Sequence, residues 1–518
     1  MSSSTKENRL HDLFKPCKFL LVFPALKVSD FVSLVIKAAL VLCSVASISF
    51  VLFVAITSHS KFLPCPECDR VILSDHRKFD DDKISATRKF ADGLNYDKTN
   101  ISHILFGIGG SANTWSNRRL YNELWWKPNV TRGFVWLDEK PPADETWPET
   151  SPPYRVSADT SKFKYTCSWG SRSAVRITRI VKESFELGLD NIRWFVMGDD
   201  DTVFFPENLV SVLSKYDHNQ MYYIGGNSES VEQDVMHSYN MAYGGGGLAI
   251  SYPLAAELVK ILDGCIDRYA SFYGSDQKIQ ACISEIGVPL TKELGFHQVD
   301  IRGDLYGLLA AHPVAPLVSL HHLDYVLSIS PGKSKIDALK ELFTAYEKDP
   351  GRIVQHSFCH DLTRNWSVSV SWGYTVQLYP SLVTSKMLET AFLTFRSWRY
   401  WATEPFTFNT RPYSHDPCQR PIFYFLDRVE EVGAGQSLTT YKMFNGSDDG
   451  KYCERGDYHL PSTVLHVNVS ASTLSPDIWK MAPRRQCCEI NSGGKGALSS
   501  VVQVNIRGCN NFESVTPP

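Results

Sequence analysis

From residue 100 onward the chain alternates short apolar runs with amphipathic stretches. His103–Ile108 (HILFGI) predicts a strand, closed by Gly109-Gly110 and followed by an amphipathic segment from about Ser116 to Trp126. Gly133–Leu137 (GFVWL) predicts a second strand that ends at Asp138. Over residues 173–188 the side chains of Ala174, Ile177, Val181 and Phe185 share one helical face, and Gly188 is placed to stop the helix. Trp194–Met197 (WFVM) predicts a buried strand running straight into Gly198-Asp199-Asp200-Asp201. Two more helices are expected. One spans Ser251–Gly264 with Pro253 in its first turn; the other starts at Ser275, buries Ile279, Cys282, Ile283 and Ile286, and ends at Gly287. Strands alternating with helices predict an α/β layer fold with a largely parallel sheet, whose ligands bind beyond the carboxyl ends of the strands.

After about residue 345 the texture changes. SVSVSWGYTVQLYP and STVLHVNVSAS alternate with the period of antiparallel strands, and Trp, Pro and Cys are frequent. This predicts a β-rich, disulfide-stapled C-terminal module. At the other end, Ala38–Ser58 carries no charged side chain. Twenty-one helical residues span about 30 Å, the thickness of a hydrocarbon core, so a single N-terminal transmembrane helix is expected. Lys6, Arg9, Lys15, Lys18, Lys27 and Lys37 outnumber Glu7, Asp12 and Asp30 before it, which predicts a cytosolic N-terminus and a lumenal remainder. The chain then divides into a cytosolic tail (1–37), an anchor (38–58), a polar stem (59–99), an α/β domain (100–345) and a β-rich extension (346–518).

Composition narrows the function. The 518 residues are 43% hydrophobic, enough for a sizeable core, and a formal net charge of −3 argues against a general nucleic-acid binder. Eleven of the 13 cysteines and five N-x-S/T sequons, at Asn100, Asn129, Asn365, Asn445 and Asn468, lie beyond the anchor, as a lumenal, disulfide-permissive compartment predicts. Eleven is odd, so at least one thiol is unpaired within the chain or bridges to another. Cys65-Pro-Glu-Cys68 lacks a βαβ context and a second CxxC, which favours a stem disulfide over a redox or zinc site. The acid run Asp80-Asp81-Asp82 in the stem reads as solvated linker.

Four features carry candidate chemistry. Asp199-Asp200-Asp201 closes an apolar strand. Clustered carboxylates there are costly without a compensating cation, and hard oxygen ligands favour Mn²⁺ or Mg²⁺, although an aspartate turn in solvent is the plain alternative. Gly244–Gly247 permits close backbone approach to a ligand but lacks the trailing Lys-Ser/Thr of a phosphate loop. Asp276, in the first turn of a helix, is favoured by the helix dipole in any case and could act as general base on a hydroxyl. His321, in LHHLD, could join aspartates on a metal, whereas most lone histidines are surface or satisfied core residues.

The order HILFGIGG, GFVWLD, WFVMGDDDTVF, YGGGG, GSDQ and VSLHHLD resembles the Fringe-like glycosyltransferases, and within them the plant Fringe-related group, over about residues 100–330. The resemblance implies a GT-A (Rossmann-like) fold. It implies an inverting hexosyltransferase that takes a UDP-sugar and a glycan or glycoprotein acceptor, with Mn²⁺ or Mg²⁺ as cofactor. It further implies a single-pass type II protein of the Golgi membrane with its catalytic domain in the lumen. In this reading Asp201, Asp199 and His321 bind metal, while Asp199 and Asp200 also orient the donor. Asp276 is the catalytic base, Gly245 and Gly246 line the sugars, and Gly109, Arg119 and Asp138 meet the nucleotide. Two positions depart from the family pattern: Ser275 stands where an acid usually precedes Asp276, and Leu320 replaces a phenylalanine before His321. The competing class is a lumenal carbohydrate-binding or scaffold protein with a degenerate transferase domain.

Overall fold

The computed structural model describes residues 98–518, apart from 143, 145, 400–404, 415, 434, 445–452, 492–499 and 517–518. The expected anchor, the stem with Cys65 and Cys68, and the Asn445 sequon lie outside the described residues. Among the described residues no helix is long and apolar enough to cross a membrane.

The strands of the first half are β1 (Ile104–Gly109), β2 (Arg132–Leu137), β3 (Tyr154–Val156), β4 (Trp194–Asp199), β5 (Val203–Phe204), β6 (Tyr223–Gly225), β7 (Leu248–Ser251), β8 (Leu290–Lys292), β9 (Phe296–His297), β10 (Ile301–Gly303) and β11 (Ser319–Leu320). The helices are α1 (Trp115–Glu123), α2 (Ser173–Phe185), α3 (Pro206–Leu213), α4 (Val231–Met236), α5 (Tyr252–Arg268), α6 (Ser275–Ile286), α7 (Tyr306–Leu309) and α8 (Lys335–Lys348). Seven strands form one sheet in the order β3-β2-β1-β4-β7-β6-β8. It is parallel except at β7, which runs antiparallel to both β4 and β6.

All six residues of β1 are buried, as expected of a central strand covered on both faces. Alternation sorts them. Leu105 joins Val175, Phe195, Leu254, Leu258 and Ile283 under the helical layer of α2, α5 and α6. Ile104, Phe106 and Ile108 face the opposite way, with Trp125, Val135 and Phe204, in a core that continues without a break into the second half. Cys265–Cys282 ties α5 to α6. Gly287 takes φ 88° at the end of α6, as expected, and Ser251 stands before α5, but α5 passes through Gly264, its expected end, and stops at Arg268. Ser251 does not cap with its side chain, however; its Oγ accepts instead from Tyr222 N–H.

The second half comprises β12 (His356–Asp361), β13 (Trp366–Ser371), β14 (Thr375–Tyr379), β15 (Ala391–Phe392), β16 (Phe395–Ser397), β17 (Thr410–Arg411), β18 (Ile422–Gly433), β19 (Gln436–Met443), β20 (His466–Ser472), β21 (Cys487–Asn491) and β22 (Val501–Arg507). Eight of these close a barrel in the order β12-β13-β14-β18-β19-β20-β22-β21. Closure removes the exposed strand edges. Cys359–Cys488 links β12 to β21, Cys487–Cys509 and Cys418–Cys453 staple its surroundings, and Cys167 is the one unpaired thiol among the described cysteines. Asn100, Asn129 and Asn365 are exposed, while Asn468 sits inside β20 with its Oδ1 buried. Residues 98–518 form one compact unit.

Candidate functional site

The site is built where β4 ends. Asp199 is its last residue and lies opposite Gly109 of β1, and Asp200 N–H donates to the Gly109 carbonyl at 3.0 Å. Thr202 makes the turn. Its Oγ1 accepts from Asp199 N–H at 2.8 Å and donates to the Gly245 carbonyl at 2.7 Å. The two-residue strand β5 then pairs with β11, Val203 opposite Leu320, which sets His321 over the aspartates. His321 Nε2 lies 3.0 Å from Asp201 Oδ1 and 3.7 Å from Asp199 Oδ2. One ligand atom from each of the three residues falls within 4.8 Å of the others.

The electrostatics pull the trio in opposite directions, against ionisation at Asp199 and toward it at Asp201 and His321. Burial, then repulsion from Asp201 and Asp200, outweighs the attraction of His321 and pushes Asp199 up to about 7. Burial opposes the charge of His321 as well, but the Asp201 carboxylate and then Asp199 raise its pKa to about 9. Burial would raise Asp201, yet His321 and Arg118 hold it well below the usual carboxylate range. These residues fit a divalent cation. Two carboxylates and an imidazole converge, and His321 Nδ1 is buried without a hydrogen bond. The backbone leaves room for the ring, because a Cβ on Gly245 would fall 2.1 Å from His321 Cε1.

Asp200 does not face that trio. Arg118 from α1 donates to Asp200 Oδ1 at 2.7 Å and lies 3.3 Å from Asp201 and 3.5 Å from Asp324. Tyr121 donates to Asp324 at 2.7 Å, and Asn122 Nδ2 to the Asp200 carbonyl at 2.7 Å. Arg119 points elsewhere and pairs with Glu123 at 2.8 Å. Arg118 is thus the cation at the acidic corner that the resemblance did not supply. Helical phase was the available signal: Arg118, Tyr121, Asn122 and Trp125 recur at i, i+3, i+4 and i+7, whereas Arg119 and Glu123 form their own i, i+4 pair.

The glycine run passes beside the trio. Gly246 N–H donates to Gln298 Oε1 at 2.6 Å, and Gly247 needs φ 88°. Asp276, second in α6, accepts from Gln277 N–H at 2.8 Å and from Gly244 N–H at 3.5 Å. Burial raises its pKa against the opposing pull of His237. Asp199, Gly244, Ser275 and Asp276 line one small cleft, so the candidate base shares a space with one of the candidate metal ligands, Asp199. Asp138 is exposed past the end of β2 and fixes the loop after β1, accepting from Ala112 N–H and Ser111 Oγ, each at 2.9 Å. Burial would raise its pKa, but those hydrogen bonds lower it. Gly109 contributes its backbone to the Asp200 turn, and Asp138 is not part of the trio.

Residues 233–488 match a family described as “Protein of unknown function, DUF604”. The match takes in the glycine run, Asp276, His321 and most of the barrel, just under half of the chain, and begins after the aspartate triplet. No curated protein matches the chain.

Proposed function

We propose that the chain is a metal-dependent, inverting glycosyltransferase that moves a sugar from a UDP-sugar to a hydroxyl of a glycan or glycoprotein. The observation that carries this reading is the convergence of Asp199, Asp201 and His321 at a sheet's carboxyl edge, with Asp199 also lining the cleft that holds Asp276. The matched family belongs to a glycosyltransferase-like group, which supports the same direction. Asp199, Asp201 and His321 would hold Mn²⁺ or Mg²⁺; the cation supplies Lewis-acid neutralisation of a departing diphosphate. Arg118 adds a fixed positive charge to that corner. Asp276 takes the proton of the acceptor hydroxyl, whose oxygen attacks the anomeric carbon from the face opposite the leaving nucleotide. A raised carboxylate pKa suits a base, because proton transfer is most effective near the working pH. The side-chain-free Gly244–Gly247 backbone lets the sugars come close to both groups.

The four disulfides among the described residues support an oxidising compartment, and with the apolar Ala38–Ser58 they favour a type II protein of the Golgi membrane. The test is UDP release from a panel of UDP-sugars with Mn²⁺, with and without saccharide acceptors. Chelator-sensitive release by the wild type, lost in Asp201→Ala, supports the reading. Absence of release from every donor tried, or release that survives in Asp201→Ala, refutes it.

A further inference from the structure

We infer that the C-terminal half holds the metal corner in shape, and that Trp398 is the positioning residue through which it does so. The inference rests on the metal-site reading above. β16 pairs antiparallel with β10, Ser397 opposite Ile301 and Arg396 opposite Arg302. That pairing returns a segment from far along the chain to the aspartates and sets Trp398 beside Arg302. Arg302 Nε donates to the Trp398 carbonyl at 2.9 Å, and its guanidinium carbon lies 4.6 Å from the indole centre. The His322 ring stacks on the same indole at 4.5 Å with planes 13° apart. His322 in turn lies 3.9 Å, centre to centre, from the ring of His321. Ring contacts therefore run unbroken from Trp398 to the metal-ligating imidazole.

The backbone gives an independent reason to need a clamp. Val299 has φ 57° and His322 φ 52°, and neither is glycine. A left-handed β-branched residue is a rare outlier, and such positions persist only where their surroundings impose them. The two flank a single contact, His322 Nδ1 to Asp300 Oδ1 at 3.1 Å. Asp300 is itself fixed by Ser228 Oγ at 2.6 Å. Asp300 on one side and Trp398 on the other thus keep His322 in a conformation it would otherwise leave. If His322 relaxed, the adjoining His321 would turn away from Asp199 and Asp201.

The test is Mn²⁺ binding to the full chain, read as free Mn²⁺ by electron paramagnetic resonance, with folding checked by thermal unfolding. Outer residues that orient metal ligands change affinity by about 10–100-fold. Trp398→Ala should weaken Mn²⁺ about tenfold, and Trp398→Phe, which keeps a ring under His322, should restore most of it. His322→Gly removes the ring through which Trp398 reaches His321, so affinity should fall about tenfold in the chain that remains folded. Wild-type affinity in Trp398→Ala or in His322→Gly overturns the inference and leaves the metal site standing. A wild-type chain that binds no Mn²⁺ overturns the metal site as well.

Discussion

The edge of the sheet and the inside of the barrel bury polar groups in opposite ways. Inside the barrel a run of neutral groups is hydrogen-bonded: Ser371 Oγ donates to the Leu309 carbonyl at 2.9 Å, Thr375 Oγ1 to the Tyr424 carbonyl at 2.8 Å, and Gln377 Nε2 to Tyr306 at 3.0 Å. At the sheet edge, Asp199, Asp200 and Asp201 crowd against Arg118 and His321, with one carboxylate pushed up to about 7. Neutral satisfied groups stabilise a framework, while a carboxylate whose ionisation the fold resists, as at Asp199, is retained where a ligand compensates it. The difference separates the part of the molecule that holds shape from the part that does chemistry.

The comparison breaks most sharply if the edge is merely structural. Asp201→Ala should reduce sugar transfer by about a thousandfold or more, as expected when charge stabilisation of a leaving group is removed, with the fold retained by circular dichroism. Next in size is the barrel. Replacing both Cys359 and Cys488 by Ala opens a link across 129 residues and should cost about 2–5 kcal/mol in denaturant unfolding. Metal binding to the folded remainder should persist at low temperature.

Metal affinity should also rise with pH. His321, raised to about 9, is protonated at neutral pH and must lose that proton to bind a cation. Mn²⁺ affinity should therefore climb by up to about tenfold per unit between pH 7 and 9, measured by titration in matched ionic strength. The stability of the metal-free chain should move the other way. A histidine pKa raised in the folded state stabilises fully below its unfolded value of about 6.5 and loses that contribution as pH rises through 9. The smallest effect expected is a gain. Asp199→Asn removes a carboxylate that folding leaves reluctant to ionise, so at pH 8 it should stabilise the metal-free chain by about 1 kcal/mol after allowance for screening. The gain should shrink by pH 5, and Mn²⁺ binding should be lost.

Much of the sheet was legible because its strands are continuous apolar runs with chemistry at their ends: HILFGI, GFVWL and WFVM became β1, β2 and β4 within a residue or two. The helices after Arg172 and Gly274 followed from periodicity and their stop glycines, whereas the helix after Ser251 runs on through Gly264, the expected stop, to Arg268. The reversed direction of β7 was not legible, since an apolar strand of four residues reads alike both ways. Alternation predicted the C-terminal strands but not closure, because period two says which face a side chain takes and nothing about the neighbouring strand. Arg118 was missed by one position, which on a helix is a turn of about 100° and a different partner. Trp398 and Asp300 left no signal at all: a three-residue pairing of β10 with β16 places them, and such short pairings carry no pattern.

The most direct measurement is anomalous diffraction at the manganese edge from crystals soaked in MnCl₂ and UDP. A peak between Asp199, Asp201 and His321, with the diphosphate against it and Arg118 alongside, is the predicted result. A peak elsewhere, or none at that corner with nucleotide bound at another place, would contradict the glycosyltransferase reading at its root.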